Sequence, residues 1–131
     1  MRYKNNPANI RFSILNRWKG LSGNNNCFCE FYTLEYGVRA LCILLRRYIN
    51  VYNLTDVNSI ITKFAPPSEN NTSAYISYVS GFLRKCSCLS SDIEFGSTDF
   101  CFLVEAICWY ETNTPISCNR VKGIMNMFKL I

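Results

Sequence analysis

Apolar residues recur with a helical period over most of this chain. From Glu35 onward they stand three and four positions apart, which is the spacing of one face of an α-helix. The first stripe consists of Val38, Leu41, Cys42, Leu45, Tyr48, Ile49 and Tyr52. Capping residues and later stripes predict four more helices. These are 55–64 with Thr55 as N-cap, one after a cap at Asn71 or Thr72, one from a Ser97 or Thr98 cap to about Tyr110, and a weak one over 121–130.

The first third of the chain has a different pattern. Ile10 alternates with Phe12, and Phe28 and Phe31 supply a second short apolar segment after a long loop rich in Gly and Asn. Such alternation is typical of half-buried strands. Two short strands ahead of several helices predict an α+β fold that is mainly α, with a small β hairpin near the N-terminus. A length of 131 residues predicts a single domain over 1–131.

Composition narrows the class of protein and its partners. Hydrophobic residues make up 49% of the chain, but no apolar run approaches the roughly 20 residues of a membrane span. The polar amides near the N-terminus occupy the place of a signal-peptide core, so we expect no signal peptide. The net charge of +5 is scattered, without a basic run. We therefore expect neither nucleic acid as a partner nor membrane insertion.

The titratable residues limit the possible chemistry. The chain has no histidine, which excludes Ser-His-Asp and Cys-His catalysis within it and disfavours catalytic zinc. Eight cysteines are present, including the C-x-C pairs Cys27/Cys29 and Cys86/Cys88. We interpret Cys42, Cys101 and Cys108 as small core residues in a reduced protein. A zinc site of four thiolates from the two pairs is the alternative; the prediction is no metal and no cofactor.

A cluster of amides lies near the start of the chain, at Asn5, Asn6 and Asn9 around Pro7. Proline restricts its own φ and pushes the residue before it toward an extended backbone, which would hold the amides in a fixed array. Such an array suits sugar binding. The alternative is a polar turn that leads into the first strand.

This segment resembles the Asn-Asn-Pro-Gly-Asn-Ile-Arg signature of a family of phage virion structural or lytic proteins, which has lysozyme-like relatives acting on peptidoglycan. Ala8 stands where the signature has Gly. The resemblance extends over roughly 3–114. Its further motifs are Trp18-Lys19-Gly20, Phe28-Cys29-Glu30-Phe31, Glu35-Tyr36-Gly37-Val38-Arg39-Ala40-Leu41, Ala65-Pro66-Pro67-Ser68-Glu69-Asn70-Asn71-Thr72 and Tyr75-Ile76. The resemblance implies a lysozyme-like domain.

Glu111 is the carboxylate best suited to be a catalytic acid. It lies at the predicted end of the fourth helix, where the helix dipole disfavours a negative charge. Trp109 and Tyr110 flank it and would shield it from water, which also favours the protonated carboxyl that cleavage of a glycosidic bond needs. The alternative is an ordinary exposed glutamate at a helix end.

The resemblance adds a spatial prediction. Lysozyme-like relatives have a glutamate-bearing helix just before the Asn-rich motif, whereas here the comparable Ala106-to-Glu111 segment comes late in the chain. We hypothesise a circular permutation that brings Glu111 to Asn6 and Asn9. Glu69 is the second candidate acid, with helix capping or substrate positioning as its alternatives.

The predicted function is cleavage of peptidoglycan glycan strands by one glutamate, as in lysozymes or lytic transglycosylases. Glu111 would be catalytic. Asn6, Asn9, Arg11, Glu69 and Tyr75 would line the cleft, although Tyr75 has packing as its alternative. The protein would be made in the host cytoplasm and act at the cell wall or be carried in a virion with other virion proteins. The rival hypothesis is a non-catalytic virion structural or peptidoglycan-binding protein.

Overall fold

A computed structural model describes residues 1–86 and 92–131 and has an α+β fold that is mainly α, as predicted. A two-stranded antiparallel sheet precedes the helices. The elements of the described residues are β1 (Leu21–Asn25), β2 (Phe28–Phe31), α1 (Leu34–Asn50), α2 (Val57–Phe64), α3 (Thr72–Lys85), α4 (Thr98–Thr112) and α5 (Cys118–Met127). None of the described helices is long and apolar enough to cross a membrane.

The hairpin differs from its prediction in the first strand. Residues 10–12 form only an isolated bridge between Arg11 and Phe28, and the first strand is the polar segment Leu21–Asn25. A two-residue turn joins the strands, with Asn26 at φ 56°, a left-handed conformation that asparagine tolerates. Most of β1 faces solvent, so it lacks the apolar alternation that would have predicted it.

Side-chain caps fix the helix starts. Each cap accepts a hydrogen bond from the backbone N–H three residues later, which satisfies a donor that the helix itself leaves free. The caps are Thr33, Asp56, Asn71, Ser97 and Ser117. The predicted cap Thr55 was one residue early, and the last helix begins before the predicted residue 121.

Helix α4 lies at the centre of the helical layer. It is apolar around most of its circumference, packs against both α3 and α5, and buries Cys101, Ala106 and Cys108 completely. The predicted core positions of Cys42, Cys101 and Cys108 are confirmed. One residue of the predicted first stripe is not in the core: Tyr52 lies beyond the end of α1 and is 53% exposed.

The buried thiols are poor metal ligands. Burial raises the pKa of Cys29 to about 11 and that of Cys42 to about 12, so both stay protonated at neutral pH. No group of three or more metal-binding side chains occurs within residues 1–86 and 92–131. Cys88, one member of the second C-x-C pair, lies outside the described residues.

We therefore expect the thermal midpoint of unfolding to be the same with and without excess reductant and chelator. Where thiols are neutral and packed as small apolar groups, neither a metal nor a disulfide contributes to the stability of the fold. Differential scanning calorimetry checks this. A midpoint lowered by chelator alone would show that the C-x-C pairs bind a metal that stabilises the fold.

The N-terminal loop packs directly on α1 at Gly37. A Cβ at this position would lie 2.0 Å from the carbonyl oxygen of Asn5 and 3.0 Å from Cδ of Pro7. Only glycine permits so close an approach of two backbones. Gly37 therefore determines how the loop is seated on the helical layer.

Gly37→Ala should lower the free energy of unfolding by about 1–3 kcal/mol, the usual cost of overpacking, because the Asn5 backbone has to move. Gly123→Ala is the matched control, since a Cβ at that helical position meets nothing within 4 Å. It should be neutral or stabilise by up to about 1 kcal/mol. Urea unfolding of both variants measures the difference; equal effects would contradict the close packing at Gly37.

Candidate active site

Asn6 organises the N-terminal loop from within. It is fully buried, and its Nδ2 donates to the carbonyl oxygens of Ile10 (3.0 Å) and Cys29 (2.9 Å). Its Oδ1 accepts from the backbone N–H of Ile10 at 2.9 Å. Both N–H donors and one of the two acceptor lone pairs of the side chain are thus used by backbone. The expectation that Asn6 lines the cleft is wrong: its role is to fix the loop to β2.

Ala8 fits the loop without strain. The left-handed residues here are Asn5 (φ 55°) and Asn9 (φ 52°), and Ala8 is not among the positive-φ positions. Its side chain is buried instead. The departure from the signature at this position therefore leaves the loop geometry intact.

The structure brings Asn9 and Glu111 together across 102 residues of chain. Nδ2 of Asn9 donates to Oε1 of Glu111 at 2.9 Å and lies 3.4 Å from its backbone oxygen. The neighbouring Thr112 hydroxyl donates to the carbonyl oxygen of Pro7 at 2.8 Å. The end of α4 is therefore attached to the N-terminal loop at two adjacent points, and the adjacency that the permutation hypothesis requires is present.

Glu111 lies where two open cavities meet. The larger, of about 360 Å³, extends toward Arg11, Trp18 and Glu69. The smaller, of about 330 Å³, extends toward Met1, Arg2, Tyr3 and Thr112. Asn9, Phe28 and Glu111 line both. Together they form a cleft, named here the Glu111 cleft, in which the carboxylate has space on either side.

Arg11 and Glu69 face each other in the larger cavity. Nη2 of Arg11 lies 3.5 Å from Oε2 of Glu69, and both side chains are about half exposed (55% and 48%). Glu69 belongs to the Pro-rich loop between α2 and α3, where its backbone N–H donates to Pro66 at 3.0 Å. The cap of α3 is Asn71, so Glu69 is not an N-cap. It lines the larger cavity, with its charge balanced by Arg11.

Tyr75 is buried beside the Glu111 cleft and packs against Tyr110. It is 1% exposed, and its ring packs on Tyr110 with centroids 3.9 Å apart. Burial, and after it the charge of Glu111, raises the pKa of Tyr75. The buried hydroxyl is near the Glu111 carboxylate but completes no hydrogen bond with any described residue. The expectation that Tyr75 lines the cleft is wrong; its alternative, packing, describes it.

The larger cavity is also lined by residues that the sequence analysis did not assign to the cleft. Asn16, Trp18 and Tyr48 line its far end, and the Arg47 guanidinium carbon lies 5.8 Å from the Trp18 ring centroid. Trp18 is nearly buried and also lines the cavity. Tyr48 stands on the apolar stripe of α1, and its position at the edge of the core depends on the loop packed beside it. No local sequence signal identifies Tyr48 as a cavity residue.

Other glutamates have structural partners. Glu105 accepts a hydrogen bond from the backbone N–H of Cys118 at 2.8 Å. Glu35 forms an ion pair with Arg120 at 3.1 Å. Its pKa is lowered by hydrogen bonding with its own backbone first and, to a lesser extent, by Arg120. Among the described residues, the carboxylates lining the larger cavity are Glu69 and Glu111.

The fold and the cleft define a mainly helical α+β protein with a glutamate at the centre of a polar groove. The chain is 37% identical over 79 residues to Protein P5 of Pseudoalteromonas phage PM2, an alignment that covers 57% of this chain and 49% of that protein. The matched region therefore spans about half the length of this relative. No family model matches the chain. The protein is thus similar to a phage protein.

Proposed function

We propose that this protein is a phage enzyme that cleaves the glycan strands of peptidoglycan, with Glu111 as its acid. The observation that carries the proposal is the position of Glu111, held by Asn9 at 2.9 Å between two cavities of one cleft. An acid that acts on a bond within a polymer needs room for the chain on both sides. Similarity to a phage protein is consistent with a cell-wall substrate.

The proposed chemistry begins with proton transfer. Because Asn9 occupies Oε1, the proton would reside on Oε2 and pass to the glycosidic oxygen as the bond to the sugar carbon breaks. The resulting carboxylate would then take a proton from the attacking hydroxyl, which belongs either to water or to the sugar itself. Glu111 would thus be regenerated as an acid.

The electrostatics of the cleft favour a single-glutamate mechanism. Glu69, the other carboxylate of the larger cavity, is paired with Arg11. Attack by the sugar's own hydroxyl, as in lytic transglycosylases, needs no second carboxylate.

The lining of the cleft suits a sugar polymer. Asn16 and Asn70 place amides along the larger cavity, and Trp18 and Phe28 add aromatic surface. Amides offer both donors and acceptors to sugar hydroxyls and acetamido groups. Asn9 Oδ1 and Trp18 Nε1, in two residues that line this cavity, have no hydrogen-bond partner within the described residues.

The decisive experiment is analysis of soluble products after the purified protein is incubated with peptidoglycan. Anhydro-muramyl ends would identify a transglycosylase, and reducing ends a hydrolase. Absence of release by a folded sample would contradict the proposal and favour a virion structural or peptidoglycan-binding role. Thermal unfolding of the same sample establishes that it is folded.

A further inference from the structure

The most exposed large apolar side chains of the described protein stand together on one turn. Ile14 is 80% exposed and Leu15 is 88% exposed. The turn is closed by the backbone N–H of Asn16 donating to the Ser13 carbonyl at 3.1 Å, and Leu15 N–H donates to the Ser13 hydroxyl at 3.2 Å. Ordered backbone therefore presents both aliphatic side chains to the outside.

The segments on either side of the turn are anchored to the protein. The backbone N–H of Phe12 donates to the Cys27 carbonyl at 2.8 Å, and Phe12 packs against the core. On the other side Trp18 is buried, and Arg47 donates to the Asn16 side chain at 3.3 Å. With both neighbours fixed, Ile14 and Leu15 cannot reach the core without unfolding the loop.

The sequence on both sides of the turn is basic. No Asp or Glu precedes Glu30 in the chain, whereas the same segment contains Arg2, Lys4, Arg11, Arg17 and Lys19. Arg17 and Lys19 are exposed and lie within four residues of Leu15. Two projecting aliphatic side chains with basic neighbours match the chemistry of an anionic lipid surface, where apolar groups enter the acyl boundary and cations meet headgroups.

We propose that the Ser13–Asn16 turn docks this protein on an anionic lipid surface, with Ile14 and Leu15 inserted. A protein partner fits the turn less well, because stable protein interfaces bury on the order of 1,000 Å² and are rich in aromatic residues. Here two side chains project alone between the polar Ser13 and Asn16. A bilayer surface accepts such shallow insertion.

This docking is peripheral, because only two side chains enter the lipid surface. It departs to that extent from the sequence-based expectation that the protein does not insert into membranes. It is also independent of glycan cleavage, because it uses other residues. The turn is nevertheless close to the site, because its last residue, Asn16, and the following Trp18 line the larger cavity of the Glu111 cleft. Docking would hold one end of the cleft close to the lipid surface.

Vesicle cosedimentation tests the proposal. The probes are vesicles of phosphatidylcholine alone and of phosphatidylcholine mixed equally with phosphatidylglycerol. The full chain should bind the mixed vesicles, less so at high salt, and bind phosphatidylcholine more weakly. Ile14→Ser combined with Leu15→Ser should reduce binding about tenfold or more. Val51→Ser is the control, since Val51 is 66% exposed at the end of α1, and it should bind as the parent does.

Arg17→Gln with Lys19→Gln should weaken binding to mixed vesicles while leaving binding to phosphatidylcholine unchanged. All the substituted side chains are exposed, so thermal midpoints should match that of the parent. Absence of parental binding to mixed vesicles would overturn the proposal, and so would equal binding by the Ile14/Leu15 variant. A parent that dimerises without lipid, and a variant that does not, would instead assign the turn to contact between copies.

Discussion

Glu111→Gln should lower the rate of peptidoglycan cleavage by roughly two orders of magnitude or more, the usual scale of general acid catalysis. Glutamine has nearly the same shape, and its amide oxygen can still accept the hydrogen bond that Asn9 donates to Oε1. The substitution removes the transferable proton without removing the contact that holds the end of α4 to the loop. Fold and glycan binding should therefore persist.

Two further glutamine substitutions serve as comparisons. Glu69→Gln removes the partner of Arg11, so it should weaken binding more than turnover, with little effect on stability because the pair is half exposed. Glu94→Gln changes an exposed carboxylate outside the cleft and should leave turnover and binding unchanged. Turnover from saturating kinetics, pull-down on insoluble peptidoglycan and thermal unfolding separate the three phenotypes.

The comparison distinguishes the possible sites. If Glu69→Gln abolishes turnover and Glu111→Gln does not, the acid belongs to the Pro-rich loop and the permuted site is wrong. If none of the variants loses turnover, the cleavage observed does not depend on this cleft. Activity lost together with binding in Glu111→Gln would assign Glu111 to substrate binding.

The helices could be predicted because their signals are local. Val38, Leu41 and Leu45 show the period of α1, and the Asn71 and Ser97 caps identify helix starts within a residue. The first strand could not be predicted, since Leu21–Asn25 is polar and is defined by its pairing with β2. Hydrophobic period detects a strand only when one of its faces is buried.

The candidate site, like the fold, could be predicted from the sequence only in part. Glu111 could be identified as a candidate from its place at a helix end, and its adjacency to Asn9 from the resemblance of the flanking motifs. The separate roles of Asn6 and Asn9 could not be distinguished, because both belong to one amide cluster. Their difference arises when β2 supplies a carbonyl to Asn6 and α4 supplies a carboxylate to Asn9. Long-range contact, and not composition, decides which amide lies in the cleft.

The contrast between these amides leads to a prediction of stability. Asn6 is fully buried and donates two hydrogen bonds to carbonyl oxygens. A carboxylate at this position would place negative charge against both carbonyls, and a protonated carboxyl could donate to only one of them. Asn6→Asp should therefore lower the free energy of unfolding at neutral pH by about 3–5 kcal/mol, the cost of a buried, uncompensated charge.

The deficit of Asn6→Asp should depend on pH in a defined direction. Burial and the two carbonyls raise the folded-state pKa of the introduced carboxyl above its unfolded value of about 3.9. The variant therefore loses stability relative to the parent as pH rises above about 4, and the deficit shrinks as pH falls to that value. Asn26→Asp is the control, since it adds the same charge at the exposed hairpin turn and should change stability by less than about 0.5 kcal/mol. Urea unfolding at pH 4 and pH 7 (approximately the two limits) measures both variants; a small, pH-independent deficit for Asn6→Asp would show that the Asn6 amide does not hold the loop to β2.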